Sequence, residues 1–299
     1  MNPTPFSSKV KIYTFSAIAL MFIAVLLRSF NFVFLFDPTV DYFKASPLHT
    51  GYLILCILSV GWFLSAVFFI PRHAFSVRTA PSSSLASRTA ALICVCASVA
   101  SFFFFRENMI FYFEHLRLYQ LLAIFSLLST VYFGFQAIRD VAASYRALAG
   151  YIAILWCGLM LCATYLNLYV AMNSPFKVTF HMALLAFMLY LAEEARLLTN
   201  HGFRIAYFAY LLIALFNCSV ASFPVFIAYA FQKYHQIDYL FYAVLSLFFC
   251  AYLASRLYDC YRLLMAAAPS TAEEIAQETK KQTSAQKTSK EEGDDQHVS

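Results

Sequence analysis

Between Ile12 and Leu264 the chain is cut into eight long apolar runs. They are Ile12–Phe36, Tyr52–Ile70, Thr89–Phe105, Leu118–Ile138, Gly150–Met172, Lys177–Leu198, Ile205–Phe231 and Tyr239–Leu264. Each is near the roughly 20 residues that cross about 30 Å of hydrocarbon as a helix. Lipid offers the backbone no hydrogen-bond partner, so a spanning segment must be a helix or part of a closed barrel. The composition agrees: 62% of residues are hydrophobic and 12% charged, against roughly 45–50% and 25% in soluble domains. The expected fold is an all-α integral membrane protein, a bundle of about eight transmembrane helices over residues 1–265.

The third run is the shortest. It ends at Phe102–Phe105 and Arg106, and either continues through Ile110–Phe113 or leaves those residues flat on the interface. The first run follows Lys9 and Lys11 like a secretory leader, but it is too long for one and no small-x-small cleavage site follows it. An uncleaved first span is expected.

Lys and Arg in the short loops set the orientation. With the N-terminus inside, ten fall on the inner side: Lys9, Lys11, Arg72, Arg78, Arg88, Arg139, Arg146, Arg196, Arg204 and Arg262. Five fall outside: Lys44, Arg106, Arg117, Lys177 and Lys233. That balance places both termini in the cytoplasm, with the plasma membrane as the expected location. The outer loop Asp37–Gly51 opens with Asp-Pro, a turn signal that stops the first helix. The inner loop Pro71–Arg88 holds Pro81 and Ser82–Ser84, a flexible linker.

Beyond Leu264 the composition changes. Residues 266–299 carry four lysines against seven acidic residues and no apolar face, the signature of a disordered acidic tail. Thr271 and Glu274 fit a capping box for a short helix. A cytoplasmic protein partner, if there is one, is expected on this tail or on the inner loops. The formal charge of +5 includes no basic block suited to nucleic acid. The eight cysteines lie in or beside apolar runs and form no CxxC pair, so neither a disulfide framework nor a metal site is expected. No cofactor is implied.

Ionisable groups near lipid are costly and each needs a reason. An inner group joins Glu193, Glu194 and Arg196 of the sixth run to Arg256 and Asp259 of the eighth. Glu194 and Arg256 each lie 17 residues past the outer start of their runs, so their depths match. This predicts an interhelical ion-pair cluster, Glu193 or Glu194 with Arg256 and Arg196 with Asp259. The alternative is a set of solvated charges at headgroup level.

An outer group comprises Arg28, Asn31, Asn167 and His181, all near one depth. A cation, two amides and an imidazole there would receive a small anionic ligand or a lipid head group. The alternative is that Arg28 snorkels to the interface while the amides bond across helices. Pro224 stands inside the seventh run with Asn217, Ser219 and Ser222, and predicts a kink.

Ion-coupled transporters keep carboxylates near the midplane, and no Asp or Glu falls mid-run here. No GxxxxGK[ST], HExxH or GxSxG occurs, and no enzymatic activity is expected. Glu193-Glu194 with Arg196, and Phe231 with His235, are a near miss to the intramembrane CAAX-processing proteases. Their signature is EExxxR, FxxxH and a further His. Here the arginine comes too early, His235 belongs to the opposite face, and the later histidine, His297, lies in the tail.

The segments LRSFNFVFLFDP (Leu27–Pro38) and MNSPFKVTFHMALLAFMLYLAEEARLL (Met172–Leu198) resemble uncharacterised multi-pass membrane proteins of Gram-positive anaerobic bacteria. The resemblance implies a bacterial plasma membrane and carries no activity or site residues. The function expected is a non-enzymatic sensor or scaffold with an outer-leaflet polar pocket. The alternative is a facilitative transporter of a small organic anion or lipid.

Overall fold

A computed structural model describes residues 5–70, 83–108, 116–138, 141–167, 174–199, 204–232 and 238–265. Expectations for the tail, for the Pro71–Ser82 part of the inner loop and for Ile110–Phe113 fall outside them. Among the described residues, eight helices are long and apolar enough to cross a membrane. Seven are α1 (Pro5–Phe30), α2 (Pro47–Phe69), α3 (Leu85–Asn108), α4 (Leu116–Ala137), α5 (Ala143–Leu166), α6 (Pro175–Leu198) and α7 (Arg204–Ala230). The eighth, α8, spans Asp238–Met265.

The helices alternate in direction. The start of α1 meets the end of α2 through Lys9 Nζ and the Phe69 carbonyl, 2.9 Å. The approach to α3 meets the end of α8 through Ser84 N–H and Asp259, 3.1 Å. These contacts define a terminal face, where the described chain begins and ends. At the opposite, hairpin face, α1 runs on as a π-helical turn, Asn31–Leu35. An antiparallel pair follows, β1 (Phe36–Asp37) with β2 (Tyr42–Phe43), in the register Phe36 opposite Phe43. Asp41 takes a left-handed turn conformation, φ 51°, which Asp tolerates better than most residues. Ser46 caps α2 by accepting from Leu48 N–H at 3.2 Å, and Pro47 supplies the pre-set first helical residue.

The helices from α3 to α7 pack in chain order, and α1 and α2 lean on α7. The buried share of the apolar segment is 78% in α7 and 22% in α2, so α7 is the axis and α2 a rim. Contacts from α8 reach α3, α4, α6 and α7. One face of α5 is a stripe of mostly small residues, Ala149, Ala153, Cys157 and Ala163, which lets backbones approach where lipid removes any hydrophobic drive between helices. Serine hydroxyls inside the bundle turn back on their own helices: Ser98 to Cys94 O at 2.9 Å and Ser219 to Leu215 O at 2.7 Å.

Several spans differ from their expected limits: the first begins at Pro5 rather than Ile12 and the second at Pro47 rather than Tyr52. The fifth was expected over Gly150–Met172 and lies over Ala143–Leu166. The Ser144–Arg146 segment lowers the local hydropathy yet still coils, while Lys177 Nζ takes the Tyr165 and Asn167 carbonyls at 2.9 and 3.1 Å and closes the other end. The third is longer than expected, running on past Arg106 to Asn108. Pro224 does stand inside α7.

An aromatic layer fills the middle of the bundle. Phe187 of α6 stacks on Phe249 of α8 with centroids 4.3 Å apart. Trp156 of α5 meets Phe249 edge-on at 5.9 Å and donates its indole N–H to Ser126 at 2.8 Å. Phe187→Ala is expected to cost stability near the lower end of the ~3–5 kcal/mol typical of such truncations, because lipid removes most of the transfer contribution. Leu189→Ala, on the lipid-facing side of α6, should change little. Reversible unfolding in mixed micelles measures both.

Candidate functional site

Arg28 is 3% exposed. Its Nη2 donates to the Pro175 carbonyl at 2.7 Å and to Thr179 Oγ1 at 3.1 Å, and its Nε has no partner. Three rings surround the guanidinium: Phe32 at 5.0 Å, Tyr52 at 5.1 Å and Phe43 at 5.6 Å. Carbonyl dipoles and ring faces attract a cation without neutralising it. Among the described residues no carboxylate comes within 4.0 Å of it. Arg28 is therefore a buried cation with no carboxylate counter-ion among the described residues.

The side chain faces a cavity of about 520 Å³ between α1, the hairpin, α2, α6 and α7, within the usual range of ligand sites. His49, Tyr52 and Thr179 line its hairpin end beside Arg28. Cys56, Val60, Met182 and Val220 line the deeper part, with Asn217 at the far end. Asn217 turns its amide to the Ile213 carbonyl, 2.8 Å. The hairpin closes the mouth: Phe43 packs on His49 at 4.8 Å and on Phe32 at 5.0 Å. Thr39 fixes the turn by donating its amide and hydroxyl to Asp37, 3.0 and 2.6 Å.

The four residues grouped at the outer depth are not brought together. Arg28 lines the cavity. Asn31 sits on the π turn, fully buried, with both amide atoms lacking a partner. His181 and Asn167 lie on another side of α6. The ring Nε2 of His181 meets Thr164 Oγ1 at 2.7 Å. The Asn167 carbonyl is held by Lys177, and its side chain lines a separate pocket of about 20 Å³ with Thr164 and Tyr239. The split is angular. Residues 175, 178, 179 and 182 of α6 share one helix face, and 177 and 181 another. Depth along a span says nothing about that angle. His49, Tyr52 and Thr179 escaped the sequence reading, although His49 and Tyr52 are three apart at the start of a span and so share a face.

The inner charges form a second site near the terminal face. Glu194 Oε1 accepts from Arg256 Nη2 at 2.7 Å, with both side chains buried. The Tyr132 hydroxyl donates to the other oxygen of Glu194 and lies 3.2 Å from the Tyr252 hydroxyl. Asp259 is 3.8 Å from Arg256 and accepts from Ser84 N–H. The expected Arg196–Asp259 pair does not form. Arg196, 54% exposed, pairs with Glu193 of its own helix at 2.9 Å, since the step from 194 to 196 turns it away from α8 toward the bundle surface. The arrangement ties α4, α6 and α8 together and anchors the approach to α3.

All eight cysteines are free thiols, and among the described residues no three His, Cys, Asp or Glu side chains are placed to hold a metal ion.

Breaking the central pair by Glu194→Leu leaves Arg256 buried without its main partner and should cost about 3–5 kcal/mol. The double variant Glu194→Leu/Arg256→Met should recover most of that loss, and Arg196→Ala should change stability by less than about 1 kcal/mol. A double-mutant cycle on detergent unfolding measures these effects. In the hairpin, the Thr39 hydroxyl first and its amide second hold the Asp37 carboxyl below its usual range. This contribution to hairpin order is full above the ordinary aspartate value, about pH 4, and is lost as the pH falls through the lower folded value. Carbon NMR titration of Asp37 should show the depressed midpoint, and Thr39→Val should return it toward the ordinary value.

Comparison of the chain with protein-family models, curated proteins and solved structures finds no match to any of them.

Proposed function

We propose that this polytopic membrane protein is a non-enzymatic sensor or scaffold that takes an anionic ligand into the Arg28 cavity. One observation carries the reading: a buried guanidinium with no carboxylate within 4.0 Å among the described residues borders about 520 Å³ of space. A cation near hydrocarbon is costly to keep and is neutralised by a partner or by water. An anion arriving in the cavity meets Arg28 together with His49, Tyr52 and Thr179, whose polar atoms suit an oxygen acid.

The interior of the bundle supports binding over passage. From the level of Arg28 to that of Glu194 the core passes through Leu184, Phe187, Phe249, Trp156 and Leu191, all buried. No chain of polar groups joins the two levels among these residues. With both termini in the cytoplasm, as the loop charges favour, the cavity belongs to the outer leaflet of the plasma membrane. The acidic tail is then the segment that meets a cytoplasmic protein.

One observation favours a facilitative transporter of a small organic anion or lipid instead. Pro224 lacks the N–H that would bond the carbonyl of Val220, and Val220 lines the cavity. A bend at that turn of α7 would move one cavity wall. Uptake of a labelled anion into proteoliposomes separates the readings: none is expected from a sensor.

Native mass spectrometry of the purified protein tests the pocket itself. Wild type should retain anionic species that Arg28→Ala loses, and equal retention by the two would remove the pocket.

A further inference from the structure

We infer that the ligand of the Arg28 cavity is an anionic acyl lipid, its acid group on Arg28 and one chain laid toward the midplane. The inference rests on the pocket reading above and specifies the chemical class.

The first ground is where the cavity opens. Its wall includes Ile57 of α2 and Met182 of α6, which are 72% and 49% exposed. Leu53 and Val178 join them as exposed lining residues. In a spanning helix such surfaces face hydrocarbon. α2 packs on α1 and α7, and α6 packs on α5 and α7, so the gap between α2 and α6 is a side entrance from the bilayer. At the hairpin end, by contrast, Phe43, Phe32 and His49 pack over the mouth. A ligand from water meets that aromatic lid, whereas a lipid already lies beside the side entrance.

The second ground is polarity along the cavity. Arg28, His49, Tyr52 and Thr179 gather at the hairpin end. Below them the lining is apolar as far as Asn217, whose amide nitrogen is already bonded within α7. On α2 the lining runs from His49 to Val60, about 16 Å at 1.5 Å per residue. That is about half of a 30 Å hydrocarbon core, or one leaflet. A charged end over a slot one leaflet deep matches one acyl chain carrying an acid group. A small soluble anion would leave the apolar length empty.

The third ground is charge. Arg28 has no carboxylate partner among the described residues, and its Nε has no acceptor. Phosphate and carboxylate both suit a guanidinium, so the shared feature is an oxygen acid on an acyl chain.

The test uses full-length, delipidated protein in detergent and three probes. These are 1-oleoyl-lysophosphatidic acid, glycerol 3-phosphate, which is the head without the chain, and monoolein, which is the chain without the charge. Calorimetry should show the lysophosphatidic acid binding at least about tenfold more tightly than either of the others, a difference of about 1.4 kcal/mol. Val60→Trp fills the slot and leaves Arg28 in place, and it should weaken that binding by roughly tenfold. Equal affinity for glycerol 3-phosphate, or no effect of Val60→Trp, overturns the lipid while leaving an anion pocket. Equal affinity for monoolein overturns the role of the charge. If neither anionic probe binds wild type better than it binds Arg28→Ala, the pocket reading falls together with this one.

Discussion

A charge that leaves water for hydrocarbon must be matched or reached by something that matches it. Two buried arginines meet that requirement in different ways. Arg256 is answered within the protein by Glu194 at 2.7 Å, and Glu194 is answered again by Tyr132. Arg28 is answered by a carbonyl, a hydroxyl and three aromatic faces, none of which carries a full negative charge. The first arrangement matches its charge inside the protein, although Arg256 Nε and Nη1 have no hydrogen-bond partner, and it holds helices in register. The second is incomplete, and it stands beside a cavity.

The rest of the architecture keeps these two sites apart. The middle of the bundle is closed by Phe187, Phe249 and Trp156, whose single polar atom is bonded to Ser126. Ser98 and Ser219 bond back to carbonyls a turn earlier, which leaves those hydroxyls on their own helices. Small residues on α5 draw its neighbours close, whereas α2 stays at the rim. The loose packing that admits a cavity therefore falls at the rim between α2 and α6.

Much of this was legible in the residues. Eight apolar runs of membrane length leave little choice but eight helices. Depth counting placed Glu194 level with Arg256 because rise per residue is nearly constant in a helix. The same counting erred for Asn167. Its helix begins at Ala143, inside a segment whose polar residues hid it, so Asn167 lies at the helix end, capped by Lys177. Counting also grouped His181 with Arg28, which α6 separates. Arg196 was paired with Asp259 on depth alone, and its direction around the helix sent it to Glu193.

The sequence alone determined the medium, the number of spans and the level of each charge. These depend on composition and on distance along a helix, which are local and additive. Only the tertiary structure decided which face of each helix meets which neighbour. That choice made Arg256 an answered charge and Arg28 one that borders an opening. A helix rotates about its axis without changing depth, and its rotation is set by packing against partners distant in the chain.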